Sequence, residues 1–348
     1  MAPSKMKAIK VTAPGQSEIQ EVPVPSIKER GEDYVLVKVN NVALNPTDWK
    51  HIDYLPQVGH TVGCDFAGVI EEVGSKVTKG WKKGDRMASW THGVNSANAL
   101  DGSFAEYLVA KGDIGMKIPD NVSDEEASTL GVGITTVGQG LYQSLGLPLP
   151  GTGNAGYPLL VYGGSTATGT LAIQFAKLSG CEVVATCSPR NFDLVKSLGA
   201  SAAFDYNDPE CAKKIREHTQ DKLTKAFDCI AEGESPKICS EAISSKGGVV
   251  SYLLPTKHER SDVENKSTLG YTIFGEGFNF AGHDMPASQE DFEKGREFWE
   301  LSTKLLAEKK IQVHPPRVEK GGLEGVFDGM KQLKEGKVSG VKLVYHIG

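Results

Sequence analysis

The most constraining feature of the sequence is a run of small residues that joins a short apolar segment to an apolar helical pattern. Residues 159–163 are predicted to form a buried strand, and residues 163–169 read Gly-Gly-Ser-Thr-Ala-Thr-Gly. Leu171, Phe175 and Leu178 then recur at helical spacing. A tight turn into a helix leaves backbone N–H groups available to a phosphate, so this stretch predicts a dinucleotide site. The alternative is a structural turn that binds no ligand.

Strands and helices alternate after this turn. Because such alternation is typical of a parallel sheet with right-handed crossovers, the middle of the chain is predicted to be a doubly wound α/β domain. The predicted strands are residues 182–188, 202–205, 227–231 and 248–254. The predicted helices are residues 192–198, 210–219 and 236–244.

The chain before the turn is rich in strands. Residues 6–11, 34–42, 66–73 and 104–109 have β-branched alternation without helices among them, which indicates a compact β-barrel-like domain. Helices are predicted from the Ser123–Glu126 capping box and over residues 136–145, 288–310 and 323–333. A last strand at 341–346 is expected to return to the first domain. The nucleotide domain would therefore be inserted into the other one.

Composition excludes several classes of function. The net charge is −6 and no dense Lys/Arg stripe is present, so no nucleic acid is expected. No apolar run approaches the roughly 20 residues of a membrane span, and the first residues do not resemble a signal peptide. The six cysteines are scattered and are expected to be reduced thiols of a cytoplasmic protein.

The end of the predicted strand at 182–188 indicates the cofactor. Folds that bind NADH carry Asp or Glu there for the ribose 2′-hydroxyl, whereas this chain has Cys-Ser-Pro-Arg-Asn at 187–191. Ser188 can donate to a 2′-phosphate and Arg190 can pair with it, so NADPH is predicted. The alternative is that Arg190 is only a solvated residue at a helix start.

Motifs in the strand-rich half resemble the medium-chain dehydrogenase/reductase superfamily. They are residues 45–50, 63–74, 84–87, 102–107 and 133–141, in that order and spacing. The resemblance implies an α/β fold in which a GroES-like β-barrel catalytic domain carries an inserted Rossmann domain. Its implied bounds are residues 1–128 and 286–348 for the catalytic domain and 129–285 for the NADPH-binding domain.

The chain departs from the zinc alcohol dehydrogenases of that superfamily. They place Cys where this chain has Asn45, Gly-His-Glu where residues 63–65 are Gly-Cys-Asp, and four cysteines in a stretch that would fall within 87–104. His51, His60 and Cys64 are the nearest candidate ligands, but their setting gives no shared face, so no metal is predicted. Without a Lewis acid, hydride delivery to an activated C=C bond is the chemistry that remains.

Further motifs look most like the trans-acting enoyl reductases of fungal polyketide biosynthesis, the group of the lovastatin enoyl reductase. These motifs are residues 47–50, 162–168, 185–191 and 272–277. The resemblance implies hydride transfer from NADPH to the β-carbon of an α,β-unsaturated acyl thioester. It also implies a highly reducing polyketide synthase as partner, with the substrate on its acyl carrier protein, and a monomer rather than a dimer.

The resemblance also implies site residues. Lys50 and Thr136 would be catalytic, although Lys50 is otherwise an ordinary lysine after a turn and Thr136 a packing residue. The implied cofactor contacts are Thr47, Asp48, Trp49, Lys50, Ser165, Thr166, Ala167, Thr168, Ser188, Pro189, Arg190, Asn191, Tyr206, Leu253, Leu254, Val341 and Lys342. The implied substrate contacts are Thr136, Phe274, Gly275, Glu276, Gly277 and Phe278.

Two other functions stay open at this point. One is an NADPH quinone or enone oxidoreductase acting on small free electrophiles. The other is a protein that binds NADPH without catalysing a reaction. An enoyl thioester that is reduced while a simple quinone is not would favour the enoyl reductase.

Overall fold

A computed structural model describes residues 2–347, and the chain forms two compact units. The first unit runs to Val132 and resumes at Tyr271, while the second unit is Gly133–Gly270. Residues 271–285, assigned above to the Rossmann domain, thus pack with the first unit. No helix within the described part of the chain is both long enough and apolar enough to cross a bilayer.

The chain up to the second unit is mostly strands. Its elements are β1 (Lys5–Ala13), β2 (Gln16–Pro23), α1 (Ile27–Arg30), β3 (Tyr34–Ala43), α2 (Pro46–Tyr54), β4 (Asp65–Val73), β5 (Arg86–Trp90), β6 (Tyr107–Lys111), β7 (Met116–Lys117), α3 (Asp124–Ser128) and α4 (Gly131–Val137). The predicted strand at 104–109 is displaced because residues 104–105 pair with β1 instead. There the Ile9 N–H donates to the Phe104 carbonyl at 2.8 Å.

The second unit alternates strands and helices, as predicted. A π-helix (Gly138–Ser144) precedes β8 (Pro158–Tyr162), α5 (Ala167–Leu178), β9 (Glu182–Thr186), a 3₁₀ turn (Pro189–Asn191), α6 (Phe192–Ser197), β10 (Ala202–Phe204), α7 (Cys211–His218), β11 (Lys225–Asp228), α8 (Ser235–Ala242), β12 (Gly248–Tyr252) and β13 (Val263–Ser267).

The chain then returns to the first unit. Its remaining elements are a 3₁₀ turn (Gly270–Phe274), β14 (Phe278–Phe280), β15 (His283–Met285), α9 (Gln289–Ala307), β16 (Pro316–Glu319), α10 (Gly322–Lys334) and β17 (Lys342–His346). β17 pairs antiparallel with β3, Val344 opposite Ala43, so the predicted return of the last strand is confirmed.

The second unit is built on a six-stranded parallel sheet. The strand order is β10-β9-β8-β11-β12-β13, the 3-2-1-4-5-6 order of dinucleotide-binding folds. Central strands are apolar on both faces because helices cover them, and Leu159, Leu160 and Val161 are fully buried. Sequence patterns missed β13, since only Val263 of this edge strand is buried.

The first unit is organised around β3. It is the centre of a mixed sheet in the order β16-β17-β3-β4-β5-β7, and β6 pairs with β3 as well. Val35, Val37 and Val39 of β3 are fully buried among apolar side chains of β1, β4 and α10. The barrel-like character predicted for this part of the chain is therefore confirmed.

One helix differs from its prediction in where it begins and in its type. The pattern at 136–145 predicts an α-helix, but the helix begins at Gly131 and becomes a π-helix at Gly138. Gly140 lies against the Phe227 ring, where a Cβ would approach the ring within 2.4 Å. The absence of a side chain at Gly140 therefore lets the helix pass close to this ring.

Candidate active site

The small-residue turn brings a helix N-terminus close to the sheet. Gly163 has φ = +73°, and a Cβ there would lie 2.9 Å from Ile230. At Gly169, a Cβ would lie only 2.2 Å from the Gly163 carbonyl oxygen. Only glycine permits this packing, and the first-turn N–H groups of α5 have no intrahelical partner. This cradle fits a dinucleotide pyrophosphate at the positive end of a helix.

The hydroxyl of Thr166 has a structural role in this turn. It accepts from the Gly169 N–H at 2.9 Å and donates to the Gly163 carbonyl at 2.8 Å. The expected role of this hydroxyl as a phosphate donor is therefore corrected, because its one proton is donated to the Gly163 carbonyl. Ser165, Ala167 and Thr168 are half-buried around it, so their backbone groups and the two remaining hydroxyls are the predicted phosphate contacts.

The predicted adenosine residues meet at the same edge of the sheet. β9 and β10 are adjacent and parallel, so the segments that follow them lie side by side. The Ser188 Oγ lies 3.1 Å from the Tyr206 hydroxyl, 18 positions along the chain. Arg190 is exposed in the 3₁₀ turn (Pro189–Asn191) and has no carboxylate partner within residues 2–347.

Leu253 and Leu254 follow β12 directly. Tyr252, the last residue of β12, is level with Asp228 of β11, which is level with Tyr162 of β8. The two leucines therefore leave the sheet at the edge that carries the glycine turn. Leu253 is half-buried and Leu254 is exposed, so the structure presents apolar surface where the cofactor is predicted.

In the first unit, α2 carries four predicted cofactor residues. Thr47 is half-buried, and the Lys50 ammonium lies 5.7 Å from the centre of the ring of Trp49, which is also half-buried. Asp48 differs from the expectation, because it is 2% exposed and its Oδ2 accepts from the Asn45 N–H at 2.6 Å. Burial raises the pKa of Asp48 to about 7. Its carboxyl group therefore caps α2 instead of facing a ligand.

Lys342 also has a structural role. Its side chain is 3% exposed, and its ammonium donates to Asn45 Oδ1 at 2.8 Å, Asp65 Oδ2 at 2.5 Å and the Thr129 carbonyl at 3.2 Å. These three acceptors use the three protons of the ammonium. The expectation that Lys342 contacts the cofactor is therefore corrected for its side chain, while Val341 beside it is half-buried.

The candidate zinc ligands do not converge. His51 Nδ1 bonds to the Gly93 carbonyl at 3.0 Å, and His60 Nδ1 bonds to the Asn95 carbonyl at 2.8 Å. Across residues 2–347, no three His, Cys, Asp or Glu side chains are grouped as metal ligands. Asn45 and Asp65, at two positions of the zinc-dehydrogenase pattern, bind an ammonium instead.

Residues 274–278 combine apolar packing with an ion cluster. Phe274 and Phe278 are buried, with ring centres 4.8 Å from Trp90 and 4.9 Å from His92, respectively. Gly275 and Gly277 flank Glu276.

The Glu276 carboxylate forms hydrogen bonds and ion pairs with side chains of the first unit. It accepts from Arg30 at 2.5 Å, Lys111 at 2.9 Å and the Tyr34 hydroxyl at 2.6 Å. Burial opposes ionisation, but the Arg30 hydrogen bond and charge hold the pKa of Glu276 below its usual range. The expected substrate contact by Glu276 is corrected accordingly, because its carboxylate anchors this segment to the barrel.

Sequence reasoning missed a cluster around Tyr271. The Tyr271 ring stacks on His92 at 3.7 Å, and its hydroxyl lies 3.0 Å from the Thr47 Oγ1. His51, considered above only as a zinc ligand, lies beside it and lines a cavity of about 450 Å³ with Phe280. No spacing rule links these positions, although Tyr271 directly precedes the motif at 272–277.

Thr136 belongs to the second unit and Lys50 to the first. Thr136 is half-buried on α4, two residues before the π-helix begins at Gly138. The joint catalytic role of these two residues stays a prediction.

Comparisons with known proteins agree with the fold. A family model of the Alcohol dehydrogenase GroES-like domain matches residues 31–120, and one of Zinc-binding dehydrogenase matches residues 167–298. A solved alcohol dehydrogenase superfamily protein from Novosphingobium aromaticivorans is similar with a TM-score of 0.81 at 20% identity, covering 99% of this chain and 100% of that one. The JamJ enoyl reductase is similar with a TM-score of 0.76 at 20% identity, over 99% and 100% of the two chains.

Curated relatives have a much higher sequence identity to this chain than these solved structures do. A trans-enoyl reductase of Alternaria alternata is 49% identical over 98% of both chains. A trans-enoyl reductase of Aspergillus sclerotiorum is 46% identical over 98% of this chain and all of its own. Membership at this level implies a nicotinamide cofactor. The chain belongs to the fungal trans-enoyl reductases of the medium-chain dehydrogenase/reductase superfamily.

Proposed function

We propose that this protein is an NADPH-dependent enoyl reductase that works in trans on acyl thioesters carried by a polyketide synthase. The observation that carries the proposal is the pairing of Ser188 with Tyr206 beside the exposed, unpaired cation of Arg190. Two hydroxyls and a guanidinium, without a carboxylate at the end of β9, suit a 2′-phosphate. The same proposal has the chain acting as a cytoplasmic monomer.

The nature of the acceptor follows from the donor set in the barrel. The Lys342 ammonium donates hydrogen bonds to the side-chain oxygens of Asn45 and Asp65, so these residues offer no ligand set to a Lewis-acid metal. An α,β-unsaturated thioester needs none, because its conjugated carbonyl accepts the developing charge. NADPH, when bound, supplies the hydride for the β-carbon.

The chain's own residues bind and orient the reactants. Thr47 and Lys50 on α2 are proposed to hold the nicotinamide end of the cofactor, and the Lys50 charge favours a developing anion. The Thr136 hydroxyl is proposed to donate to the thioester oxygen. The cavity beside His51 and Phe280 offers space for an acyl chain, with Phe278 buried nearby against His92.

The acceptor is tested with the purified protein by following NADPH consumption. An enoyl pantetheine thioester is expected to be reduced, whereas a simple quinone is expected to remain unreduced. Co-expression with a reducing polyketide synthase is then expected to give a more saturated product. Reduction of the quinone alone would favour the small-electrophile reductase, and NADPH binding without turnover of either acceptor would favour a non-catalytic protein.

Arg190→Ala is expected to raise the KM for NADPH by about 10- to 100-fold and to leave the KM for NADH nearly unchanged. A hydrogen bond to a charged group contributes about 1.5–3 kcal/mol, and only NADPH carries the phosphate that would receive it. Initial rates with each cofactor give both constants. Lys196→Ala, which removes a nearby cation on α6, is the matched control. Equal increases for NADPH and NADH would contradict the assignment.

A further inference from the structure

We propose that Tyr271 and His51 are positioning residues for Thr47. A directed chain of hydrogen bonds points the Thr47 hydroxyl proton at Tyr271. Thr47 Oγ1 therefore contacts the bound cofactor as a hydrogen-bond acceptor. Its partner is then a group that carries a proton, of the class of a ribose hydroxyl. The inference rests on the proposed function, which has Thr47 at the nicotinamide end of NADPH.

The chain of contacts is continuous within the first unit. Thr47 Oγ1 lies 3.0 Å from the Tyr271 hydroxyl, which lies 3.4 Å from His51 Nε2. The opposite ring nitrogen of His51, Nδ1, lies 3.0 Å from the Gly93 carbonyl oxygen. Three elements thus contribute, namely α2 twice, the turn before β14, and the segment after β5.

The backbone fixes the direction of the chain. A carbonyl oxygen only accepts, so Nδ1 of His51 carries the proton that reaches Gly93. His51 is 5% exposed, and burial lowers its pKa, which favours the neutral ring. Nε2 is therefore an acceptor, and the only proton on the Tyr271 oxygen is donated to it.

Thr47 must then donate to Tyr271. The Tyr271 oxygen keeps its lone pairs for a donor, and the Thr47 hydroxyl at 3.0 Å supplies one. The reverse arrangement, Tyr271 donating to Thr47, would leave a buried imidazole nitrogen without a proton donor from Tyr271, which is costly. The one proton of Thr47 is thereby used, and its remaining lone pairs accept.

Packing holds Tyr271 in this position. The residue is 6% exposed, and its ring lies nearly parallel to the His92 ring, with 11° between the planes. Trp90 covers it from another direction, with ring centres 5.3 Å apart. The phenol cannot swing out of the chain without losing these contacts, so the Thr47 hydroxyl is oriented before a ligand arrives.

The test is a double-mutant cycle on NADPH binding, measured by fluorescence titration without an acceptor. Thr47→Val and Tyr271→Phe are each expected to weaken the Kd about tenfold, since each removes one member of the same arrangement. The double variant is expected to bind NADPH no more than about tenfold more weakly than the wild type, because both substitutions remove the same hydrogen-bonded arrangement. Losses that multiply to about 100-fold would overturn the inference, as would an unchanged Kd for Tyr271→Phe.

Controls separate positioning from folding. Tyr142→Phe removes the hydroxyl of a half-buried tyrosine, 3.1 Å from Ser179 Oγ, and is expected to lower the Tm without changing the Kd. If Tyr271→Phe does not fold, His51→Leu removes the acceptor of the same chain and takes its place in the cycle, with the same two outcomes. Wild-type protein that does not bind NADPH would instead contradict the proposed function.

Discussion

Lys342→Met is expected to lower the free energy of unfolding by about 3–5 kcal/mol. Methionine retains the length of the side chain but removes the charge, and it leaves the fully buried Asp65 carboxylate without its cation. An unpaired buried charge is among the most costly defects in a protein interior. Urea unfolding monitored by circular dichroism measures the loss.

A second substitution identifies the cause. Asp65→Asn in the Lys342→Met background is expected to recover part of the stability, because no buried charge is then left unpaired. Lys5→Met, which breaks an exposed pair with Glu21, is the matched control and is expected to change stability little. If Lys342→Met were as mild as Lys5→Met, the buried ammonium would not be a stabilising element.

Asp48→Asn is expected to gain about 3 kcal/mol of stability relative to the wild type when the pH rises from about 4.5 to about 8. The pKa of Asp48 is about 7 in the folded protein, whereas an unfolded Asp has a pKa near 3.9. The folded state therefore holds a proton that the unfolded state has lost in this interval. The stability contribution of the protonated group is present at low pH and is lost as the pH approaches 7.

Asparagine at this position does not titrate and can still accept from the Asn45 N–H through its amide oxygen. The measurement is the difference in unfolding free energy between the variant and the wild type at several pH values. Taking the difference removes the contributions of the other titrating groups. A difference that stays constant with pH would contradict the burial of a titrating carboxyl at Asp48.

The parts of the fold that follow from local signals are predictable. The Ser123–Glu126 capping box forms as its spacing predicts, with the Glu126 N–H donating to the Ser123 hydroxyl. The turn at 163–169 likewise joins β8 to α5, because its glycines and its apolar flanks lie within 20 residues. β13 has no such signal, since its solvent-exposed edge leaves one buried residue.

Assignments that depend on distant partners are not predictable in this way. Lys342 is 297 and 277 positions from Asn45 and Asp65, and Glu276 is 246 positions from Arg30. A sequence pattern identifies the chemical type of each side chain, but it does not identify the partner that accepts its hydrogen bonds or pairs with its charge. Thr166 is the local case, because a hydroxyl at a helix start suits a phosphate and a cap equally well.

The pairing of β17 with β3 has a consequence for biosynthesis. Val344 and Ala43 are partners roughly 300 positions apart, whereas every strand of the six-stranded sheet lies within one continuous stretch of chain. On the ribosome the nucleotide-binding sheet can thus assemble first, while residues 41–43 of β3, beyond the part that β6 covers, keep one edge unpaired until β17 has been synthesised. An exposed strand edge of this kind recruits other chains, so the interval before β17 emerges is the period in which the nascent protein is most prone to aggregation.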